Sequence, residues 1–470
     1  MTAAPRARRR RRTVAAILAV LALGAGAGAV TAGPGEEASG ASPAADAVTT
    51  PVLSLRRAPA LLAAGRAERR LEAALGAVAA DSPATSCLVV AEGPRRLFAT
   101  NPELPLVPAS TMKLVTATAA LERLGPDTTL QTAVVADGAP DDGVVDDLWL
   151  VGGGDPVLGT AEWAASFRHQ PALFTPLEAL ADDVVAAGVR TVRGRLFGDE
   201  SRYDTVRRGP DWPASSTTAG NVGSLSALLV NDGYDRGPGG RSPFPDPAAG
   251  AAAVLADLLR QRGVTVGETG AGTAPEGADE VASVRSAPLG DVVASMVSES
   301  DNASAELLTK ELGLQEAGEG STAAGAGVLR DVLADAGLPL EGVALVDGSG
   351  LSRSDRLTCG LLTALLGEAG TGSALDRSLA VAGRTGSLTE RFLGTALVGR
   401  LRGKTGSLNG VETLAGVVET DSGRALSFAY LLNGPGTTDD TAARLQDRLG
   451  ELLVRHPELD LEGLGPERAP

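Results

Sequence analysis

Apolar positions recur along this chain with two periods, and the places where the period changes mark the elements. After Pro108 the run LVTATAALERLG sets Leu114, Ala117, Leu121 and Leu124 at steps of three and four before Gly125, the spacing of a buried helix with a glycine stop. The same period over residues 66–78, RAERRLEAALGAV, predicts an amphipathic helix, and SCLVVAEG and RRLFATN predict two short strands joined at Gly93-Pro94. From about residue 130 to about residue 285 the texture changes to strands such as LQTAVVAD and DLWLVGG, a turn cluster at Gly152–Pro156, and helix-then-strand units at 176–200 and 246–267. The Gly- and Pro-rich run from Gly233 to Pro247 reads as a long surface loop. Helices are predicted near Leu289–Met296 and over Ala303–Leu312. At the carboxyl end RLRGKTGSLNGVETLAGVVET and RALSFAYLLNG flank the turn Asp421-Ser422-Gly423 as a hairpin, with a last helix from about Asp439 to Arg455 packing back on the sheet.

These elements divide a 470-residue chain, too long for one simple domain, into several parts. Residues 1–12 carry six arginines and no acid, Val14–Leu23 is almost wholly apolar, and small residues lead to Val30-Thr31-Ala32: an export signal, or an uncleaved membrane anchor. No other segment is long and apolar enough to span a membrane. Residues 33–62, rich in Ala, Gly, Ser and Pro, read as a flexible linker. Residues 63–130 and 286–456 form one expected domain, 131–285 an inserted α/β part, and 457–470 a loose tail.

Composition narrows the chemistry. The net charge of −16 becomes −22 once the arginine-rich leader is removed, a surface that repels nucleic acid and anionic lipid. Two cysteines, Cys87 and Cys359, could pair in an oxidising compartment but are too few for a disulfide framework, and they read as buried, unpaired thiols. His169 and His456, the only histidines, read as surface residues, so neither a metal site, a cofactor nor a Ser-His-Asp triad is expected.

Lysine is the informative residue. Of the 42 Lys and Arg residues only Lys113, Lys310 and Lys404 are lysines, so arginine serves wherever a plain positive charge suffices. A guanidinium does not lose its proton, whereas a buried ammonium can, so a general base must stay lysine. Lys113 alone has a serine three positions before it, Ser110, on the same helical face and in the helix's first turn. That pair is a candidate nucleophile and base. Ser300 and Asn302 precede a helix, where by position they read as N-caps, and Lys310 pairs at i, i+4 with Glu306. In Lys404-Thr405-Gly406-Ser407 the strand alternation turns both hydroxyls to one side, and Gly406 lets a ligand approach the backbone.

Ser110-Thr111-Met112-Lys113, Ser300-Asp301-Asn302 and Lys404-Thr405-Gly406-Ser407 match in order the three motifs of the penicillin-binding and serine β-lactamase superfamily. The chain further resembles the low-molecular-mass class C penicillin-binding proteins, D-alanyl-D-alanine carboxypeptidases and endopeptidases, over roughly residues 50 to 455. The carriers are Thr50-Pro51-Val52-Leu53, Gly154-Asp155-Pro156, Asp347–Ser352 and Arg384–Leu388 before Arg391-Phe392. The resemblance implies an α/β fold: a penicillin-binding transpeptidase domain, an antiparallel sheet flanked by helices plus a helical region, with inserted α/β material between the first two motifs. It implies a serine carboxypeptidase acting on peptidoglycan stem peptides and acylated by β-lactams, outside the cytoplasm. Endopeptidase, β-lactamase and non-catalytic wall-binding are the alternatives. Ser110 is the implied nucleophile and Lys113 its base, with Lys404 a second positive charge beside them. Ser300 and Asn302 relay a proton and orient the substrate amide, and Thr405 and Ser407 hold the terminal carboxylate. The Ser349–Ser352 loop and part of the insertion wall the pocket for the stem peptide's third residue, with Arg353 either a partner for a side-chain carboxylate there or a plain surface arginine. Arg384-Thr385-Gly386-Ser387 imitates the third motif but is followed by a helical pattern, TERFLGT, so the role goes to Lys404.

Overall fold

A computed structural model describes residues 58–458, apart from 214–215, 217–219 and 238–239. The leader at 1–32, nearly all of the linker and residues 459–470 therefore lie outside the described residues. Among those described, no helix is long and apolar enough to cross a membrane.

In chain order, helix α1 (Ala58–Ala80) begins inside the expected linker and runs into the hairpin β1 (Thr85–Glu92) and β2 (Arg95–Thr100). After helix α2 (Lys113–Ala119) come β3 (Gln131–Ala136), β4 (Leu148–Val151), α3 (Leu177–Ala186), β5 (Thr191–Asp199), α4 (Pro247–Gln261), β6 (Thr265–Ala271) and β7 (Asp279–Arg285). The helices α5 (Leu289–Glu299), α6 (Asn302–Ala317), α7 (Thr322–Asp335) and α8 (Cys359–Ala369) follow, then β8 (Leu401–Leu408), β9 (Val411–Glu419), β10 (Ala425–Asn433) and α9 (Asp439–Val454).

Two sheets result. The first is antiparallel, in the order Ala380–Val381, β8, β9, β10, β1, β2, so early and late strands of the described residues share one sheet. The second, from residues 131–285, is mixed, in the order β6, β5, β4, β3, β7, with its parallel pairs fed by the helix-then-strand units. Gly233–Pro247 is not a plain loop: Tyr234–Gly237 and Gly240–Pro243 pair as a short antiparallel hairpin, a pairing set by backbone bonds and invisible to apolar periodicity. TERFLGT is likewise a run of turns, not a helix.

Period-two alternation sorts the first sheet's side chains between two cores. Leu88, Val90, Phe428, Tyr430 and Leu432 face α1 and α9, packing with Leu71, Leu75, Leu449 and Leu453. Cys87, Val89, Ala415, Ala429 and Leu431 face the other way, against α2, α5, α6, α7 and α8. The helix carrying Ser110 is thus buried in the larger of these two cores, with Leu114, Val115 and Ala117 fully covered.

The cysteines correct the sequence reading. Cys87 on β1 and Cys359 at the start of α8 are disulfide-bonded, with Cα atoms 5.9 Å apart across a sequence separation of 272. No spacing rule links residues that far apart; only the packing of α8 on the sheet joins them. His456 also departs from expectation, since the chain turns back after α9 and buries it, and burial lowers its pKa.

Closing so long a loop restricts the unfolded chain, an effect of about 2–4 kcal/mol in typical proteins. Reductant is expected to lower the Tm of the native protein by several degrees and to leave a Cys87→Ser/Cys359→Ser protein unchanged at that lower Tm, as read by thermal unfolding with and without reducing agent.

Candidate active site

The serine turn is shaped before any side chain acts. Ala109–Met112 is a single 3-10 turn, which continues as α2 and ends in the wider turn Ala120–Leu124. In a 3-10 turn side chains three apart eclipse, and Ser110 and Lys113 are three apart, so the tight turn brings the hydroxyl and the amine together. Ala109 holds a positive φ of 47° while fully buried, a strained conformation for a non-glycine residue. Two glycines close on this turn. A Cβ at Gly350 would meet the Ala109 carbonyl at 1.9 Å, and a Cβ at Gly406 would meet the Ser110 nitrogen at 2.8 Å. The loop 347–352 and strand β8 therefore clamp the serine from two sides, and only glycine permits the approach.

Lys113 lies at the centre. Its Nζ is 3.0 Å from Ser110 Oγ, 2.6 Å from Asn302 Oδ1 and 2.7 Å from the Ser349 carbonyl. Asn302 donates its own amide N–H to the Asn221 carbonyl at 2.8 Å, so both ends of that amide are fixed. The helix cap expected of Ser300 or Asn302 is made by Asp301 instead, whose carboxylate accepts from the Ala303 and Ser304 nitrogens. That leaves Asn302 free to face Lys113. Ser300, half-buried and left-handed at φ 65°, forms the bend between α5 and α6.

Charge around the site is dominated by burial. Lys113 is pulled down from the usual lysine range to about 8 by burial, opposed by the nearby carboxylates of Asp347, Asp301 and Glu306. Lys404, also fully buried, is pushed well below its ordinary value by burial and then by the charge of Lys113. Glu306 does not pair with Lys310. Its carboxyl accepts from the Gly348 and Ser349 nitrogens, at 3.0 and 2.8 Å, and burial raises its pKa to about 8. Lys310 bonds Asp204 instead, since the helical face shared by Glu306 and Lys310 is covered at one end by the 347–352 loop and at the other by the segment after β5.

The third motif lies along the free part of β8, because Ala380–Val381 pairs only with Gly403 and Arg402. Lys404 donates to the Thr405 carbonyl at 2.7 Å. Thr405 donates to Ser387 Oγ at 2.9 Å, and Ser407 donates to Glu412 Oε1 at 2.5 Å. Ser387 of the imitation motif thus lies against β8, accepting from Thr405. Arg353 is exposed at the hairpin end and donates to the Asn409 carbonyl at 3.0 Å. The segment after β5 is wired in as well: Trp212 donates to Asp347 at 2.7 Å, Ser354 N–H to Asp211 at 3.0 Å, and Arg202 forks onto Glu311.

The structure therefore gathers Ser110, Lys113 and Asn302 in one hydrogen-bonded group and lays Gly406 against the serine, while Lys404 stands close enough to act on Lys113 electrostatically. Thr405, Ser407 and Arg353 sit along the strand and its turn. Sequence reasoning missed the Ser349 and Asn221 carbonyls, Ser387 and Glu412. Backbone carbonyls carry no residue signature, but the duplicated Thr-Gly-Ser of 385–387 did mark Ser387.

A family model for the D-Ala-D-Ala carboxypeptidase 3 (S13) family matches residues 71–236 and 243–454. The chain belongs to the S13 family. The family match passes over the tip of the 234–243 hairpin and takes in every motif of the site. Among relatives, this S13 member is 32% identical over 485 residues to a D-alanyl-D-alanine carboxypeptidase of Actinomadura sp. (strain R39), covering 84% of this chain and 87% of that protein. It is 34% identical over 362 residues to carboxypeptidase DacB of Mycolicibacterium smegmatis, covering 74% and 75%. In fold it matches penicillin binding protein 4 (dacB) of Haemophilus influenzae with a TM-score of 0.70 and 20% identity, over 81% of this chain and 99% of that one. The protein is accordingly a serine-type D-Ala-D-Ala carboxypeptidase, a hydrolase.

Asn302→Ala removes one acceptor from Lys113 without touching the Asp301 cap. A hydrogen bond to a charged group is worth about 1.5–3 kcal/mol, so acylation by a labelled penicillin is expected to slow by roughly ten- to a hundredfold while the Tm stays within a few degrees of native. Unchanged acylation would remove Asn302 from the site.

Proposed function

We propose that this enzyme releases the terminal D-alanine of peptidoglycan stem peptides through an acyl-enzyme on Ser110, and that β-lactams acylate the same serine. The observation that carries the reading is the surroundings of Lys113. A neutral amine has two N–H bonds and one lone pair. The Ser349 carbonyl and the Asn302 amide oxygen take the two N–H bonds, which leaves the lone pair to the Ser110 hydroxyl, the one neighbour able to donate.

Two buried ammonium groups this close cannot both stay charged. The carboxylates around Lys113 hold the proton there in the free enzyme. The fraction of enzyme in which Lys113 has lost that proton, larger as pH rises toward about 8, carries the neutral amine that acts as base, while Thr405 and Ser407 hold the substrate carboxylate. Ser110 Oγ then attacks the carbonyl carbon as Lys113 takes its proton, and the oxyanion lies between the backbone N–H groups of Ser110 and Ser407. Ser300 passes the proton to the leaving amine, D-alanine departs, and water hydrolyses the ester. Arg353 receives a side-chain carboxylate of the stem peptide's third residue. The arginine-rich leader exports the chain and, uncleaved, would anchor it at the membrane.

Incubation with a labelled penicillin followed by peptide mapping is expected to place the adduct on Ser110; no adduct there would overturn the reading, and rapid turnover of the penicillin would point to a β-lactamase. Lys113→Arg keeps the charge and loses the base, so acylation should vanish. Lys404→Arg keeps what that position needs and should retain part of it. Because the neutral amine is the active form, native acylation should rise about tenfold per pH unit below about 8 and level off above it.

The Arg353 assignment is tested with stem peptides bearing or lacking the side-chain carboxylate. The native enzyme should favour the carboxylate by about 1.5–3 kcal/mol in kcat/KM, and Arg353→Ala should lose that preference. Equal discrimination by both would free Arg353 of the role.

A further inference from the structure

Ser407 and Glu412 are register partners across the β8–β9 ladder, so their side chains stand on the same face of the sheet. The Ser407 hydroxyl donates to Glu412 Oε1 at 2.5 Å. A hydroxyl has one proton. While Glu412 is ionised that proton is held by the carboxylate, and Ser407 offers only lone pairs to anything else that approaches. A substrate carboxylate is also only an acceptor, so in that state it finds no donor at Ser407 and meets a second negative charge behind it. When Glu412 carries a proton, its O–H donates to Ser407 Oγ and the serine's own proton turns outward. One proton on Glu412 thus reverses the direction of one hydrogen bond, at the serine to which the proposed mechanism assigns the substrate's carboxylate.

We propose that Glu412 is a positioning residue of the carboxylate subsite, its protonated form releasing the Ser407 hydroxyl to bind a substrate carboxylate and its ionised form withdrawing it. The idea rests on the carboxypeptidase reading above and adds a group that selects for the substrate's free carboxyl end. The surroundings suit a proton held near neutrality. Glu412 is half-buried, and its pKa is raised to about 7 by burial and by Asp439 in the first turn of α9, which acts through a hydrogen bond to the Glu412 carboxyl as well as through its charge, while Ser407 and Arg391 oppose. Arg391 reaches in from the turns before β8, where it also meets Gln446 and, at 3.9 Å, Asp447 of α9. Asp439 and Arg391 are therefore the charges that face Glu412 from the elements packed on it.

The test compares a peptide ending in D-Ala-D-Ala with a free carboxylate against the same peptide as its C-terminal amide. Both need the same base, so the ratio of their kcat/KM values cancels the titration of Lys113 and reports the carboxylate subsite. In the native enzyme that ratio should fall on the order of tenfold as pH rises through about 7. Glu412→Gln, which always has an N–H to give Ser407, should hold the ratio flat at its high value. Ser407→Ala should hold it flat and low. A ratio that does not change with pH in the native enzyme overturns the proposal, as does the same fall in Glu412→Gln. The labelled-penicillin adduct on Ser110, measured in the same preparations, separates the two levels: an adduct with a flat ratio removes only the role of Glu412, whereas a missing adduct in the native enzyme removes the carboxypeptidase mechanism beneath it.

Discussion

The structure depends on keeping one amine buried and still able to lose its proton. A lysine with no exposed surface is costly unless every donor it carries is used, and Lys113 uses its donors on groups supplied by three separate segments. Each of those segments is held in turn. Asn302 is fixed by the Asn221 carbonyl, and Ser349 presents its carbonyl because Glu306 binds its nitrogen and that of Gly348. Asp347 ties down the same loop through the nitrogens of Gly350 and Ser352. The strain at Ala109 persists because the loop and β8 press on the serine turn from opposite sides.

Those supporting carboxyls carry their own constraint. Glu306, Asp347 and Asp355 are buried within one network, and three negative charges could not coexist there. Burial and the neighbouring Asp347 push Asp355 up to about 10 and Glu306 to about 8, so protons remain on part of the cluster at neutral pH. The consequence for Lys113 is a moderated field, in which carboxylates oppose burial and its pKa settles at about 8.

Much of this was legible because selection for chemistry leaves composition marks. Arginine had replaced lysine nearly everywhere, so Lys113, Lys310 and Lys404 stood out; all three are buried, and Lys113 joins the hydrogen-bonded group of Ser110 and Asn302. Strand alternation through Leu88–Val90 and Phe428–Leu432 and the helical spacing after Pro108 gave the frame. What stayed hidden depends on partners far apart in sequence. Cys87 and Cys359 were misread as thiols, and Glu306 was assigned to Lys310 by the i, i+4 rule although its real partners are backbone nitrogens more than forty residues on. Asp301 took the capping role from its neighbours for a reason visible only in three dimensions: Asn302 was wanted by Lys113.

The insertion's place in the chain follows from the same wiring. It leaves after the helix of Ser110 and returns before the bend at Ser300, so its two ends are tied to the two motifs whose separation decides whether Asn302 reaches Lys113. Along the way Arg202, Tyr203, Asp204, Asp211, Trp212 and Asn221 bind Glu311, Lys310, Asp347, Ser354 and Asn302 of α6 and the 347–355 loop. A hydrophobic cluster of Tyr203, Trp212, Val222 and Leu225 with Ala303, Leu307 and Leu351 buries the bonds of Tyr203 and Trp212, while those of Asn221 and Asp211 stay at the surface. Removing that segment would do more than narrow the substrate range. It would expose the start of α6 and release Asn302 from one side, leaving Lys113 with a mobile partner and a wetter site, and a wetter lysine keeps its proton. The inserted part is therefore coupled, through Asn221 and Asn302, to the surroundings of Lys113.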